Sequence, residues 1–343
     1  MAHYSLELDR QTIETVEKRK VVLLDTSVWI RLADGRTSQA ISLRDRLLKL
    51  CADERVLCPL VAPTLWELRK QSSPSLERTA ELMELLSLNV SFRGLEQIFD
   101  HEVGHFFDYL RSGVFAPLTT SEKFGPLLCY LTPSFRLGAA PESVRDEHTQ
   151  LYDLLASIVS NISLTKLISM LGERSFPNVE TTCGYQATSR ARRESLGSVA
   201  KIRRLELEHI AQTVVIPKFN SIRSKLPIVE QLAILNQLKR LPQGRKNCGA
   251  IEHMLVFMPA ISAYVEMLVG SGLDTNRKDN ANDFFDREIF VYGLAYSSIF
   301  SAVDSWISSL VSYSKQSAYP GFFAFAGSLC ELEKSLDIVV GAA

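Results

Sequence analysis

The sequence carries almost no net charge, no paired cysteines and no long apolar run. Its 38 lysines and arginines against 39 aspartates and glutamates leave a formal charge of −1 over 343 residues. No global field therefore draws the molecule to nucleic acid or to an anionic membrane, and any polyanion site has to be local. Cys51, Cys58, Cys129, Cys183, Cys248 and Cys330 form no Cys-x-x-Cys pair. That spacing argues against a zinc ribbon and against a disulfide scaffold, so the thiols read as reduced and mostly buried. The most apolar stretch, MLVFMPAISAYVEMLVG (254–270), is interrupted by Pro259 and Glu266. It is too short to cross a bilayer and is expected to form a buried helix. The residues before position 21 are polar and charged, without an apolar segment of signal-peptide type, so a cytoplasmic protein with no membrane partner is expected.

What is present has the periodicity of a soluble globular chain. VVLLD at 21–25 is apolar and β-branched until it meets an aspartate, as a fully buried parallel strand does when it delivers an acid at its carboxyl end. AISLRDRLLKLCADE has helical spacing, RVLCPL reads as a second strand, and APTLWELRKQ starts a helix with Pro63 in its first turn. PSLERTAELMELLSLNV is amphipathic helix and VSFRG a third strand, so the order implies an α/β layer with a parallel sheet. From about 95 to 279 helical spacing dominates. Then NANDFFDREIFVYGLAYSSIFSAVD restores the first pattern, with a helix capped by Asn282 or Asp283 and a strand ending in Asp304. The expected organisation is an α/β domain made from 20–94 and 280–343, carrying a mostly helical insertion over 95–279.

Two predicted strands thus end in aspartates, Asp25 and Asp304, and two predicted helices carry Glu67 and Asp286. In a parallel sheet the carboxyl ends of the strands share one edge, where ligands bind. Carboxylates crowded there repel or take up protons, so a cluster of them implies a bound cation. Oxygen-only ligands suit Mg²⁺ or Mn²⁺, whose common task is to activate water and neutralise a phosphodiester.

VVLLDTSVWIRL, VLCPLVAPTLWELRK and NDFFDREIFVYGLAYSSIFSAVD together resemble the PIN-domain nucleases, over about 20–94 and 280–312. The resemblance implies a three-layer α/β/α sandwich with a mainly parallel central sheet. It also implies a catalytic and metal-binding set of Asp25, Glu67, Asp286 and Asp304, with Asp283 an alternative to Asp286 and Thr26 or Ser27 supplying an orienting hydroxyl. The family hydrolyses RNA, less often DNA, with Mg²⁺ or Mn²⁺, leaving 5′-phosphate and 3′-hydroxyl ends. Its members' roles as toxins held by a protein inhibitor, as defence effectors or in RNA processing are all compatible with this chain. The insertion would serve substrate choice, regulation or assembly, self-association included. The threonine usual two residues before the fourth acid is Ala302 here.

A second motif competes. In HEVGH (101–105), His101 and His105 share a helical face and could hold zinc, with Glu102 acting on a bound water as in a zinc metallopeptidase. Yet Leu95, Ile98, Phe99, Val103, Phe106 and Leu110 already form an apolar stripe that explains a helix without metal. The extended motif's third histidine is replaced by Arg111, leaving Glu142, Asp146, Glu147 and His148 as candidate third ligands. A third possibility is a catalytically degenerate nuclease fold serving as a binding or assembly module.

Between Gln186 and Lys246 thirteen lysines and arginines face four aspartates and glutamates. Arg190, Arg192, Arg193, Arg203 and Arg204 head this run as candidate phosphate-binding residues, set against the alternative of a solvated helix face.

Overall fold

Lys20-Val-Val-Leu-Leu forms strand β1 (Lys20–Leu24), with every side chain after the first buried. The computed structural model that shows this describes residues 4–127, 162–170, 198–240, 254–273, 283–316 and 324–341. Before β1 runs helix α1 (Tyr4–Glu17). After it come α2 (Thr26–Asp34), α3 (Ser38–Ala52), β2 (Val56–Leu57), α4 (Ala62–Leu68), α5 (Ser73–Ser87), β3 (Val90–Phe92), α6 (Leu95–Ser112), α7 (Thr120–Lys123) and β4 (Phe124–Pro126). The chain continues with α8 (Leu164–Met170), α9 (Val199–Ile210), a π-helical turn (Ala211–Val215), α10 (Ile216–Arg223), α11 (Ile228–Arg240) and α12 (Pro259–Leu273). It ends with α13 (Asp283–Tyr296), β5 (Ile299–Ser301), α14 (Ser305–Gln316), β6 (Ala324–Ala326) and α15 (Leu329–Val340).

The fold is mixed α/β and mostly helical, around a four-stranded parallel sheet ordered β2-β1-β5-β6. Register is fixed by Val21 opposite Leu57, by Leu23 opposite Phe300, and by Phe300 opposite Phe325. Strands from both ends of the described chain thus lie side by side. The third expected strand behaves differently. β3 pairs antiparallel with β4, Phe92 opposite Phe124, and touches the chain beyond β2 through one parallel bridge, Leu60 to Ser91.

Alternation along the strands feeds two apolar clusters. Val22, Leu24, Val56 and Ile299 point into one with α2, α3, α5, α8 and α15, whereas Leu23, Leu57 and Phe300 point into the other. The second cluster takes Phe106 of α6, Ile202 of α9, Phe219 of α10, Val265 of α12 and Phe290 of α13. Helices α6, α9, α10, α11 and α12 of the 95–279 stretch therefore share this core with the sheet. α12 is buried nearly all round, as an apolar run too short for a bilayer requires, and no described helix is long and apolar enough to cross a membrane. The π-helical turn leads into Pro217, which has no N–H to continue an α-helical ladder.

α13 rides directly on β5 because Gly293 has no side chain. A Cβ there would lie 2.5 Å from Cγ of the fully buried Phe300. Gly293→Ala should lower stability by about 2 kcal/mol through overpacking, read from the midpoint of urea unfolding. An unchanged midpoint would mean that the helix is free to move off the strand.

Candidate active site

Asp25 is the first residue past β1 and the N-cap of α2, so one residue both ends a strand and starts a helix. Its Oδ2 accepts the Ser27 hydroxyl and, at 3.3 Å, the Ser27 N–H, while its own N–H donates to the Ser301 carbonyl of β5 at 2.9 Å. Asp304 repeats the arrangement one strand over. It lies just beyond β5 and caps α14, its Oδ1 accepting from Trp306 N at 2.6 Å and Ile307 N at 3.2 Å. Glu67 comes from α4, and its Oε2 accepts the Thr26 hydroxyl.

These three acids meet at the carboxyl edge of the sheet. Burial raises Asp25 above the ordinary carboxylate range, opposed by its bonds from Ser27 and Thr26 and reinforced by the charge of Asp304. Burial pushes Glu67 up to about 7; the Thr26 hydroxyl and Lys70 oppose that shift, whereas Asp25 and Asp304 add to it. Asp286 sits half-buried in the first turn of α13. Its neighbour Phe285 lies under Lys70, with Nζ 5.3 Å from the ring centre, and Arg287 lies 5.9 Å from the ring of Trp306. The first turn of α13 is thereby in contact with the turn that follows Glu67 and with the first turn of the helix that follows Asp304. Asp283 opens the same helix. Ala302 is buried with no hydroxyl to offer, and Thr26 and Ser27 supply the hydroxyls that bond to these carboxylates among the described residues.

Proximity here is not chelation. Among the described residues no group of three His, Cys, Asp or Glu side chains is placed to hold a metal ion. The local geometry supplies the reason: Asp25 and Asp304 are turned to donors of their own helices and Glu67 to the hydroxyl of Thr26. The donor chemistry, oxygen only and short of positive charge, nonetheless fits a hard divalent cation.

The histidine motif has another job. Glu102 is 1 % exposed and points inward, accepting from Ala260 N at 2.6 Å, Ile261 N at 3.0 Å and the Tyr296 hydroxyl at 2.5 Å. It satisfies two first-turn N–H groups of α12, donors that a helix cannot satisfy itself. Burial pushes Glu102 up to about 7 against those three bonds. His105 holds the Ala116 carbonyl and Glu122 Oε1, each at 2.8 Å, while His101 Nδ1 lies 3.5 Å from the same Glu122 oxygen. Burial pulls His105 down, but the Ala116 carbonyl and Glu122 outweigh it and hold the ring above its ordinary value. His101 is held lower by its burial, which outweighs the attraction of Glu122. The motif therefore splits: two histidines tie α6 to the turn at Glu122, and its glutamate caps α12, facing no water. Glu142, Asp146, Glu147 and His148 lie outside the described residues. Glu122 was legible in the sequence, because Thr119-Thr-Ser-Glu122 is a capping box, and the structure forms it.

The basic run is partly spent internally. Arg203 is paired at 2.5 Å with the fully buried Glu266 of α12, Arg204 with Glu208 one turn on, and Lys218 with Asp100 of α6. Of Arg203 and Arg204, both candidates for a phosphate-binding face, Arg203 is thus paired with a carboxylate outside the counted run and Arg204 with one inside it. Arg190, Arg192 and Arg193 lie outside the described residues. Compared with family models, with curated proteins and with solved structures, the chain matches none.

Two measurements check these assignments. Glu102→Ala strands two buried N–H groups and a hydroxyl, so it should cost on the order of 3 kcal/mol in urea unfolding, whereas His101→Ala should cost far less. Equal effects would contradict the inward placement. Glu67 binds its proton more tightly folded than unfolded, so its contribution to stability is complete below about pH 4.5 and is lost as pH rises through about 7. With chelator present, Glu67→Gln should reduce the fall in unfolding midpoint between about pH 5 and pH 8, leaving the share due to the other groups held above their ordinary values, Glu102, Asp25 and His105. A slope equal to the parent's rejects a buried, protonating Glu67.

Proposed function

We propose that the chain is a divalent-metal-dependent phosphodiesterase of PIN-like type, an endoribonuclease, on a three-layer α/β/α arrangement. The observation that carries this is the meeting of Asp25, Glu67 and Asp304, from three distant stretches of sequence, at the sheet edge where parallel α/β proteins bind ligands. Burying like charges together is unfavourable unless something offsets them, and here the offset is partial protonation at Glu67. Asp25 and Asp304 would hold Mg²⁺ or Mn²⁺, with Glu67 and Asp286 completing the shell directly or through water. The cation, when bound, supplies charge neutralisation at the phosphodiester and activation of water.

The chain's own residues do the rest. Ser27 fixes the rotamer of Asp25, and Thr26 fixes that of Glu67. Burial pushes Glu67 up to about 7 in the cation-free protein, and a cation bound beside it would favour its ionised form. Lys70, beside Glu67 and over Phe285, puts a cation next to the acids where a phosphate would otherwise be repelled. One observation favours a second reading, a nuclease fold kept as a binding module: each of the three carboxylates is engaged by a nearby protein donor.

Cleavage of single-stranded RNA in Mg²⁺ or Mn²⁺ separates the two. The parent should cleave, and Asp25→Asn should cut the rate by at least about a hundredfold, a loss of roughly 3 kcal/mol in transition-state stabilisation, with its fold intact by circular dichroism. Cleavage that survives Asp25→Asn defeats the active-site assignment. RNA binding without cleavage by the parent in either ion supports the binding module.

A further inference from the structure

A second feature occupies the same edge of the sheet. α3 and α15 run side by side in the same direction, joined by Arg46 to Asp337 at 2.5 Å and, farther along, by Arg55 to the Val340 carbonyl. Their first turns therefore lie together, beside the end of β6. Between these turns and α2 opens a cavity of about 580 Å³, lined among others by Arg31, Asp34, Arg36, Thr37, Gln39 and Ser328. The floor is apolar, formed by Ile30, Ala40 and Leu329, and the rim carries the charge. The carboxylate of Asp34 is already shared between Arg36 and Arg78, each at 3.1 Å. Arg36 is 84 % exposed, so that pair costs little to break, and Arg31 is exposed as well. Thr37 Oγ1 accepts from Ala40 N and Ser328 Oγ from Glu331 N, which leaves each hydroxyl its own proton to donate.

The cavity is tied to the acids by one helix. α2 has Asp25 as its N-cap and Arg31 near its far end, six residues or about 9 Å along the axis. From these observations we infer that the cavity is a nucleotide subsite for the substrate strand next to the bond that is cut. A base rests on the Ile30, Ala40 and Leu329 floor, and the adjoining phosphate is held by Arg31 and Arg36. A cavity of this size, apolar below and cationic at its mouth, suits one nucleotide. The inference takes its substrate from the nuclease reading, but its test does not depend on turnover.

The test is binding of a fluorescently labelled single-stranded RNA, in chelator so that no metal-dependent cleavage occurs, followed by anisotropy over a range of salt. Arg31→Ala with Arg36→Ala should weaken binding at least about tenfold and reduce the slope of log affinity against log salt by about 0.7, the share of one phosphate on a single strand. Gln39→Trp, which narrows the cavity without changing charge, should also weaken binding, and thermal unfolding confirms that both variants fold. Undiminished binding in either folded variant overturns the subsite, as does absence of RNA binding by the parent. A free mononucleotide that competes as well as the strand, molecule for molecule, overturns its assignment to a strand. If the parent binds RNA through these arginines but cleaves nothing in Mg²⁺ or Mn²⁺, the subsite stands and the nuclease reading falls. Metal-dependent cleavage with normal binding by the arginine variant gives the reverse.

Discussion

Strand β1 is buried on both faces and paired on both edges, and most of the molecule's arrangement depends on that. Val22 and Leu24 face one apolar cluster while Val21 and Leu23 face the other, so the strand cannot slip by a residue without exchanging its two faces. Its parallel pairing with β5 then decides where the chain ends of both strands go. Asp25 and Asp304 emerge side by side because Leu24 is in register with Ser301. β6, in register with β5, brings Ser328 and the first turn of α15 to the same edge. The acids and the cationic cavity are consequences of one hydrogen-bonded register.

Glu67 and Glu102 show how burial alone fails to distinguish a carboxylate that caps a helix from one that sits among other acids. Burial pushes both up to about 7. Glu102 is surrounded by three donors, two of them backbone N–H groups fixed by α12, and no like charge adds to its shift. Its surroundings are complete. Glu67 has a single hydroxyl donor, with two carboxylates adding to its shift and Lys70 opposing it. The same numerical shift belongs to a satisfied helix cap in one case and to an under-compensated acidic cluster in the other.

Much of the fold was legible because its signals are local. The β-branched run ending in Asp25, the Pro63 helix start and the helical stripe of Leu95 to Leu110 are patterns of neighbouring residues, and all three elements form where the spacing places them. β3 was legible as a strand but not as an antiparallel one, because its partner, β4, is too short to show an alternation. Glu67 was legible as an acid on a helix, while its bond to Thr26 spans 41 residues and leaves no mark in either segment. The basic run is legible only as a count. A count of charges between 186 and 246 registers Arg203 but cannot register Glu266, which neutralises it from another helix.

The sequence by itself determined the first strand and the longer helices, the acids that follow predicted strands and the near-neutral charge that confines any polyanion site to a patch, because periodicity and capping act within a few residues. Tertiary structure alone decided which carboxylates share a volume, that Glu102 turns inward to cap a helix 158 residues away, and that α3 and α15 open a cavity beside the acids. Those outcomes rest on desolvation and on charge–charge distance, which exist only after remote segments have packed.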